Sequence, residues 1–240
     1  MPPLSVRVTK RLLDICVSSI GLCVTAPLLP LVALAIRLDS KGPVFYWQTR
    51  AKALDGFENG QPKVSSFSIV KFRTMAVDAE KGTGAVLAAK DDDRVTRVGS
   101  ILRRSRIDEI PQFFNVLIGD MSLVGPRPER PEILGNLALA IPFFEERLRD
   151  VKPGLTGLAQ VELDYTGAIP EDSALYVHKA DLSNPFELEG AEGALADDMR
   201  AKLLLDLAYS AGLERFSTFV VNELKVLVKT PIIMLLSKGH

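Results

Sequence analysis

ICVSSIGLCVTAPLLPLVALAI, residues 15–36, carries no charge. It is long enough to cross the hydrocarbon core of a bilayer, which takes about 20 apolar residues as a helix. Pro27 and Pro30 interrupt it. Each removes a helix N–H, and its ring opposes the carbonyl four residues back. Both flanks are basic, with Arg7, Lys10 and Arg11 before the run and Arg37 and Lys41 after it. Lys and Arg favour the cytoplasmic side of a membrane. The segment therefore reads as a helix that enters, bends at Pro27 and Pro30, and leaves on the same side. Two other arrangements fit the run. One is a straight spanning helix. The other is a secretory signal, with Ala33-Leu34-Ala35 as its cleavage site, although the run is long for a signal core. A buried core helix fits least, because such helices usually carry a polar stripe. The chain divides into an N-terminal membrane anchor over 1–41 and a second domain over 42–240.

The remaining composition narrows the chemistry. Lys and Arg total 29 against 30 Asp and Glu, a net charge of −1, so no global field recruits nucleic acid. Hydrophobic content is 47% and mean hydropathy +0.16, and the N-terminal run concentrates that excess. The 2 cysteines, Cys16 and Cys23, lie inside the run and make no disulfide framework or zinc motif. The 2 histidines, His178 and His240, leave little material for a His-based metal site or triad.

After Gly42-Pro43 the pattern changes. VFYWQTR and FSIVKFRTM are rich in β-branched and aromatic residues and read as short strands, with the turn-rich ALDGFENGQPKVSS as a hairpin-like excursion between them. From Gly99 apolar residues recur at helical spacing (Ile107, Ile110, Phe113, Phe114, Leu117, Ile118), and Gly119 is a stop signal. GPRPERPE (125–132), with three prolines, cannot be regular throughout, and KPGLTG (152–157) reads as a fixed turn. Residues near 164–200 read as a surface insertion. Met199 to Val228 returns to helical spacing, and FSTFVVNELKVLVK has an apolar face suited equally to a membrane surface or to core packing. The fold class is α+β: a mainly helical domain with a few short strands and an N-terminal re-entrant helix.

SRIDEIPQ (105–112) sets Asp108 and Glu109 side by side, with Arg103, Arg104 and Arg106 upstream and Pro111 after. Proline is tolerated in a first helical turn, so the acids are expected at the start of the amphipathic helix. There they could simply complement the helix dipole, with arginines as solvated partners. The spacing allows a second reading. Asp108, Gln112 and Asn115 would share one face, forming a polar stripe beside clustered arginines. Such a stripe suits a metal-bound phosphate ester, the acids holding Mg²⁺ or attacking phosphorus and the arginines neutralising oxygens. Arg127 and Arg130 sit on a backbone stiffened by Pro126, Pro128 and Pro131, which suits either a phosphate-binding loop or a rigid surface turn.

KFRTM (71–75), RRSRIDEIPQFFNVLIGDMSLVGPRPERPE (103–132) and KPGLTGLAQV (152–161) resemble the bacterial sugar transferases of the monotopic phosphoglycosyl transferase superfamily. The resemblance runs from about Lys10 to Val161 and resumes at KLLLDLAY (202–209). It implies transfer of a sugar-1-phosphate from a UDP-sugar to undecaprenyl phosphate with release of UMP, initiating exopolysaccharide or related glycan assembly. It implies Asp108 as nucleophile of a covalent phosphosugar intermediate, with Glu109 and Asp108 at Mg²⁺. Substrate contacts are expected from Lys71, Arg73, Arg103, Gln112, Pro126, Arg127 and Pro128. The anchor would sit in the bacterial inner membrane with the catalytic domain facing the cytoplasm. A covalent intermediate lets a soluble donor and a lipid acceptor use one pocket in turn, which predicts ping-pong kinetics.

The chain departs from the family pattern in places. Leu158 stands where the family often has Trp, FENGQPKVSS is longer, and 164–200 is expanded. No polytopic N-terminal region is seen, so a minimal catalytic form is expected. The sequence does not fix the oligomeric state, and a homodimer is compatible with it because symmetric pairing is the commonest form of oligomer. Two other function classes fit these residues less well. A secreted hydrolase needs acids flanking a bond, which adjacent helical carboxylates suit poorly. A membrane adaptor would use the basic loops alone.

Overall fold

The structure is a computed structural model. It describes residues 1–77, 79, 92–163, 169, 171, 173, 176–178 and 193–235. The apolar run forms two helices, α1 (Leu4–Thr25) and α2 (Leu28–Asp39), which meet at a bend of 62°. Pro27 caps α2 and Pro30 falls in its first turn, where a missing N–H is harmless. Among the described residues no single helix is long and apolar enough to cross a membrane, whereas the bent pair together has that length and composition.

Both ends of the pair are tied to the rest of the fold. Near the start, Arg11 donates from Nη1 to Val116 O and from Nη2 to Leu117 O, each at 2.7 Å. Asp14 is buried, and its Oδ1 accepts from Ser122 Oγ (2.9 Å) and Leu123 N (2.8 Å). Lys10 Nζ donates to Glu223, Tyr209 and the Val124 carbonyl. At the far end, Asp39 Oδ2 accepts from Val98 N (3.0 Å), and Ser40 O accepts from Arg73 Nη2 (2.7 Å). Between these ties Ile20, Val24, Leu31, Leu34 and Leu38 are exposed.

The expected short strands are instead a long antiparallel ribbon, β1 (Phe45–Glu58) and β2 (Gln61–Phe72). The turn-rich excursion is itself strand, closed by Asn59-Gly60 with φ of 52° and 77°. That Asn-Gly pair with positive φ at both positions is the tight hairpin turn matched to strand twist. The register shifts twice, between Ala51 and Ala53 and between Leu54 and Gly56. KPGLTG is likewise more than a turn. It contains β4 (Gly154–Thr156), which pairs in parallel with β3 (Ser122–Val124).

The remaining elements are helical: α3 (Arg97–Arg104), α4 (Gln112–Ile118), α5 (Pro131–Ala140), α6 (Leu158–Glu162), α7 (Gly193–Gly212) and α8 (Phe216–Leu235). The helical pattern from Gly99 is thus two helices rather than one. Gly119 ends α4 with φ 92°, as its sequence position implies. GPRPER is irregular, and α5 begins at Pro131, a favoured first helical position. C-terminally, α8 continues through Pro231. The insertion near 164–200 lies mostly outside the described residues. The class is mixed α and β, as expected.

The largest core joins β2 (Phe67, Ile69), α4 (Val116), β3 (Leu123, Val124) and the C-terminal helices (Tyr209, Phe219, Val226). A smaller one joins Val32 and Ile36 of α2 to Phe72 and Leu102. Buried residues of β2 therefore enter different cores, Phe72 packing with α2 and Phe67 and Ile69 with the larger one.

Candidate active site

Asp108 and Glu109 do not open the amphipathic helix. They lie in a 3₁₀ turn, Ile107–Glu109, and α4 starts only at Gln112 with Pro111 as its cap. Arg106 breaks the path from α3 by adopting a left-handed backbone, φ 56° and ψ 14°. A non-glycine residue rarely does so and at a cost of about 1 kcal/mol. The kink gives the acids their own turn between α3 and α4.

The two carboxylates have opposite environments. Glu109 Oε1 accepts from Lys71 Nζ (2.8 Å) and from Arg127 Nη2 (3.2 Å). Although burial opposes its charge, Lys71 and Arg127 hold its pKa well below the usual carboxylate range. Asp108 is also buried, and its Oδ1 has no hydrogen-bond partner among the described residues. Burial first, then the Glu109 charge, pushes its pKa up to about 6, against the pull of Lys71, Arg106 and Arg103. Neighbouring acids driven apart in this way are a mark of chemical sites.

Lys71, Glu109, Gln112, Arg127 and Pro128 line one open cleft, together with Arg50, Ile69 and Gly154. Of the residues expected from the sequence, Lys71, Gln112, Arg127 and Pro128 thus gather around Glu109. Arg103 donates from Nε to Thr74 Oγ1 (2.9 Å) and lends its charge to Asp108. Arg73 is placed differently. Its guanidinium donates to Ser40 O, Ser40 Oγ and Lys41 O, tying the exit of α2 to the domain. Asn115 leaves the expected polar stripe. It accepts from Val70 N (3.0 Å) and donates to Ser68 O (2.8 Å), clipping α4 to β2.

The Pro-Arg-Pro loop is held from three sides. Pro126 O accepts from Gly154 N, and Gly125 N donates to Thr156 O, both at 2.9 Å. This extends the β3–β4 pairing into the loop. A Cβ at Gly154 would lie 2.2 Å from Gly125 N, and one at Gly125 would lie 2.3 Å from Lys152 O. Only glycines permit two backbones to cross so closely. On the second side, Ala51 N donates to Glu129 O (2.9 Å) and Arg50 Nη1 to Pro128 O (3.2 Å).

The third side is a buried charge cluster. Arg147, fully buried, pairs with Asp206 (2.6 Å) and donates from Nη2 to Arg127 O (3.1 Å). Glu129 accepts from Lys202 Nζ (2.5 Å) and from Arg147 Nη1 (3.4 Å). The positive charges of Lys202 and Arg147 bring Glu129 down to about 2 despite its burial. Sequence reading missed Arg50, Glu129, Arg147, Lys202 and Asp206. Gln48 and Arg50 alternate on a strand, which was a signal for a polar face of β1. Lys202 and Asp206 on α7 lie within KLLLDLAY, but that run names no partner for them, and Glu129 and Arg147 are far away in the chain.

The chain matches the family Bacterial sugar transferase over residues 5–237. It is 47% identical over 161 residues to the UDP-glucose:undecaprenyl-phosphate glucose-1-phosphate transferase of Caulobacter vibrioides, covering 67% of this chain and 56% of that one. It is 44% identical over 156 residues to the UDP-N-acetylgalactosamine-undecaprenyl-phosphate N-acetylgalactosaminephosphotransferase of Aeromonas hydrophila, covering 65% of this chain and 34% of that one. With the exopolysaccharide production protein PSS of Rhizobium leguminosarum bv. phaseoli it shares 41% identity over 157 residues, 64% of this chain and 74% of that one. The family match over nearly the whole length makes this chain a member of the bacterial sugar transferases.

Proposed function

We propose that this protein transfers a sugar-1-phosphate from a UDP-sugar to undecaprenyl phosphate at the cytoplasmic face of the bacterial inner membrane, as the first step of an exopolysaccharide or related glycan. The observation that carries this reading is a buried acid pair with divided roles, inside a family whose named relatives catalyse such transfers. An Asp108 oxygen attacks the phosphorus that bears the sugar. The bridging P–O bond breaks and UMP leaves. An oxygen of the lipid phosphate then attacks the same phosphorus, and the Asp108 carboxylate is released. Arg127 and Lys71, already against Glu109, are placed to offset the negative charge of the diphosphate.

The residues suit Mg²⁺ shared with substrate. Mg²⁺ is usually held by one or two carboxylates plus substrate phosphates. Here Asp108 Oδ1 is buried without a partner and Glu109 is adjacent, while no group of three or more His, Cys, Asp or Glu occurs among the described residues. Asp108 and Glu109 would hold the ion, which when bound neutralises phosphate oxygens.

The contacts of the anchor support a re-entrant arrangement. The middle of α1 and the end of α2 are both bonded to the same domain, through Arg11 and Asp14 and through Asp39 and Ser40. A straight crossing of about 30 Å would part them. Exposed Ile101, Phe114 and Ile118, on the helices that flank the acid turn, support a reading in which the acid pair works close to the membrane surface.

The test is UMP release by detergent-purified protein with Mg²⁺, undecaprenyl phosphate and a panel of UDP-sugars that includes UDP-glucose and UDP-N-acetylgalactosamine. Release by the wild type but not by Asp108→Asn is expected. No release from any donor would overturn the reading.

A further inference from the structure

Arg50 lines the same cleft from β1. Its Nη1 donates to Pro128 O and its Nη2 to Gln48 Oε1 (2.5 Å), and its Nε is buried with no partner among the described residues. Both acceptors are neutral. Among the described residues no carboxylate pairs with Arg50, whereas Lys71 and Arg127 share Glu109. The nearby Glu129 is held by Lys202 and Arg147. The cleft lining thus presents three cations, Arg50, Lys71 and Arg127, to a single carboxylate, Glu109. A guanidinium drawn out of water with only carbonyl partners lacks a counter-charge, and its planar fork fits phosphate.

Position assigns it an end of the cleft. Arg50 is within electrostatic reach of Arg127, Glu129, Arg130 and Glu109, whereas the charges acting most on Asp108 are Glu109, Lys71, Arg106 and Arg103. Arg50 also donates to Pro128 O, and along the ribbon it lies four residues beyond Tyr46, the partner of Lys71, so it stands on the Pro128 side of Glu109. Given the donor reading above, we propose that Arg50 binds the phosphate that departs with the nucleoside, its fork held in place by Pro128 and Gln48. It neutralises the charge that collects on that phosphate as the bridging P–O bond breaks. Burial and the Arg127 charge together lower Arg50 to about 10, a cost that a phosphate dianion in the cleft offsets.

The test is titration of the full chain in detergent with UMP and, separately, with uridine, for the wild type, Arg50→Gln and Arg50→Lys. A direct phosphate contact predicts that Arg50→Gln weakens UMP about ten- to a hundred-fold. Uridine should bind unchanged, which also reports a folded site, and Arg50→Lys should recover part of the loss. Equal UMP affinity in Arg50→Gln overturns the proposal and leaves the donor reading intact. Equal losses for uridine and UMP also overturn it, because Arg50 would then only brace the Pro128 loop. A wild type that binds no UMP overturns the donor reading itself.

Discussion

Lys71 Nζ and Glu109 Oε1 stand 2.8 Å apart, across the gap between the ribbon and the acid turn. Arg127 reaches the same oxygen. Glu109 is therefore fixed as an anion, and its charge with burial raises Asp108 to about 6. In the proposed mechanism attack requires the Asp108 carboxylate, so UMP release should rise with pH as this acid, raised above the ordinary aspartate range, ionises, and then level. Lys71 favours the ionised form of Asp108. In Lys71→Met the neutral acid gains, and the rising limb should move to higher pH. A pH–rate profile checks this, and an unmoved limb would contradict the assignment.

Asp14 holds α1 to β3 through a buried carboxylate that accepts two hydrogen bonds, from Ser122 Oγ and Leu123 N. Asp14→Ala leaves the Leu123 N–H buried and unpaired and should cost about 3 kcal/mol in denaturation experiments. Asp14→Asn keeps an acceptor and should cost less. Equal stability of all three proteins would mean that α1 is not docked as described.

Gly154 allows the close crossing under the Pro-Arg-Pro loop. Gly154→Ala should destabilise the protein by about 2 kcal/mol or more and depress activity further by shifting Arg127. Gly135 is the matched control. It lies in α5 with nothing within 4 Å of an added Cβ, so Gly135→Ala should be neutral or stabilise by up to about 1 kcal/mol. Thermal melts of the two variants separate the cases.

Much of this was legible in the sequence where chemistry is local. Pro27 and Pro30 mark the bend because proline acts on its own helix. Pro131 and Gly119 mark the ends of helices for similar reasons. The acid turn was misplaced because its boundary is set by the left-handed Arg106, a conformation no local preference of arginine announces. The long ribbon was under-read because its outer half is polar, so alternation is weak there. Asn59-Gly60 was nevertheless a recognisable hairpin turn. Arg73 and Asn115 could not be separated from site residues by spacing, since each is committed to backbone far away in the chain. The Arg147–Asp206–Glu129–Lys202 cluster joins segments up to 77 positions apart, from 129 to 206, and only the fold brings them together.

The central claim is that Asp108 becomes covalently attached to the transferred phosphosugar. Intact-protein and peptide mass spectrometry after incubation with Mg²⁺ and an accepted UDP-sugar, without lipid acceptor, tests it most directly. One phosphosugar per chain on the peptide containing Asp108, with UMP released in equal amount and neither in Asp108→Asn, is the expected result. An unmodified wild type that releases UMP only once undecaprenyl phosphate is added, or an adduct that persists in Asp108→Asn, would contradict it.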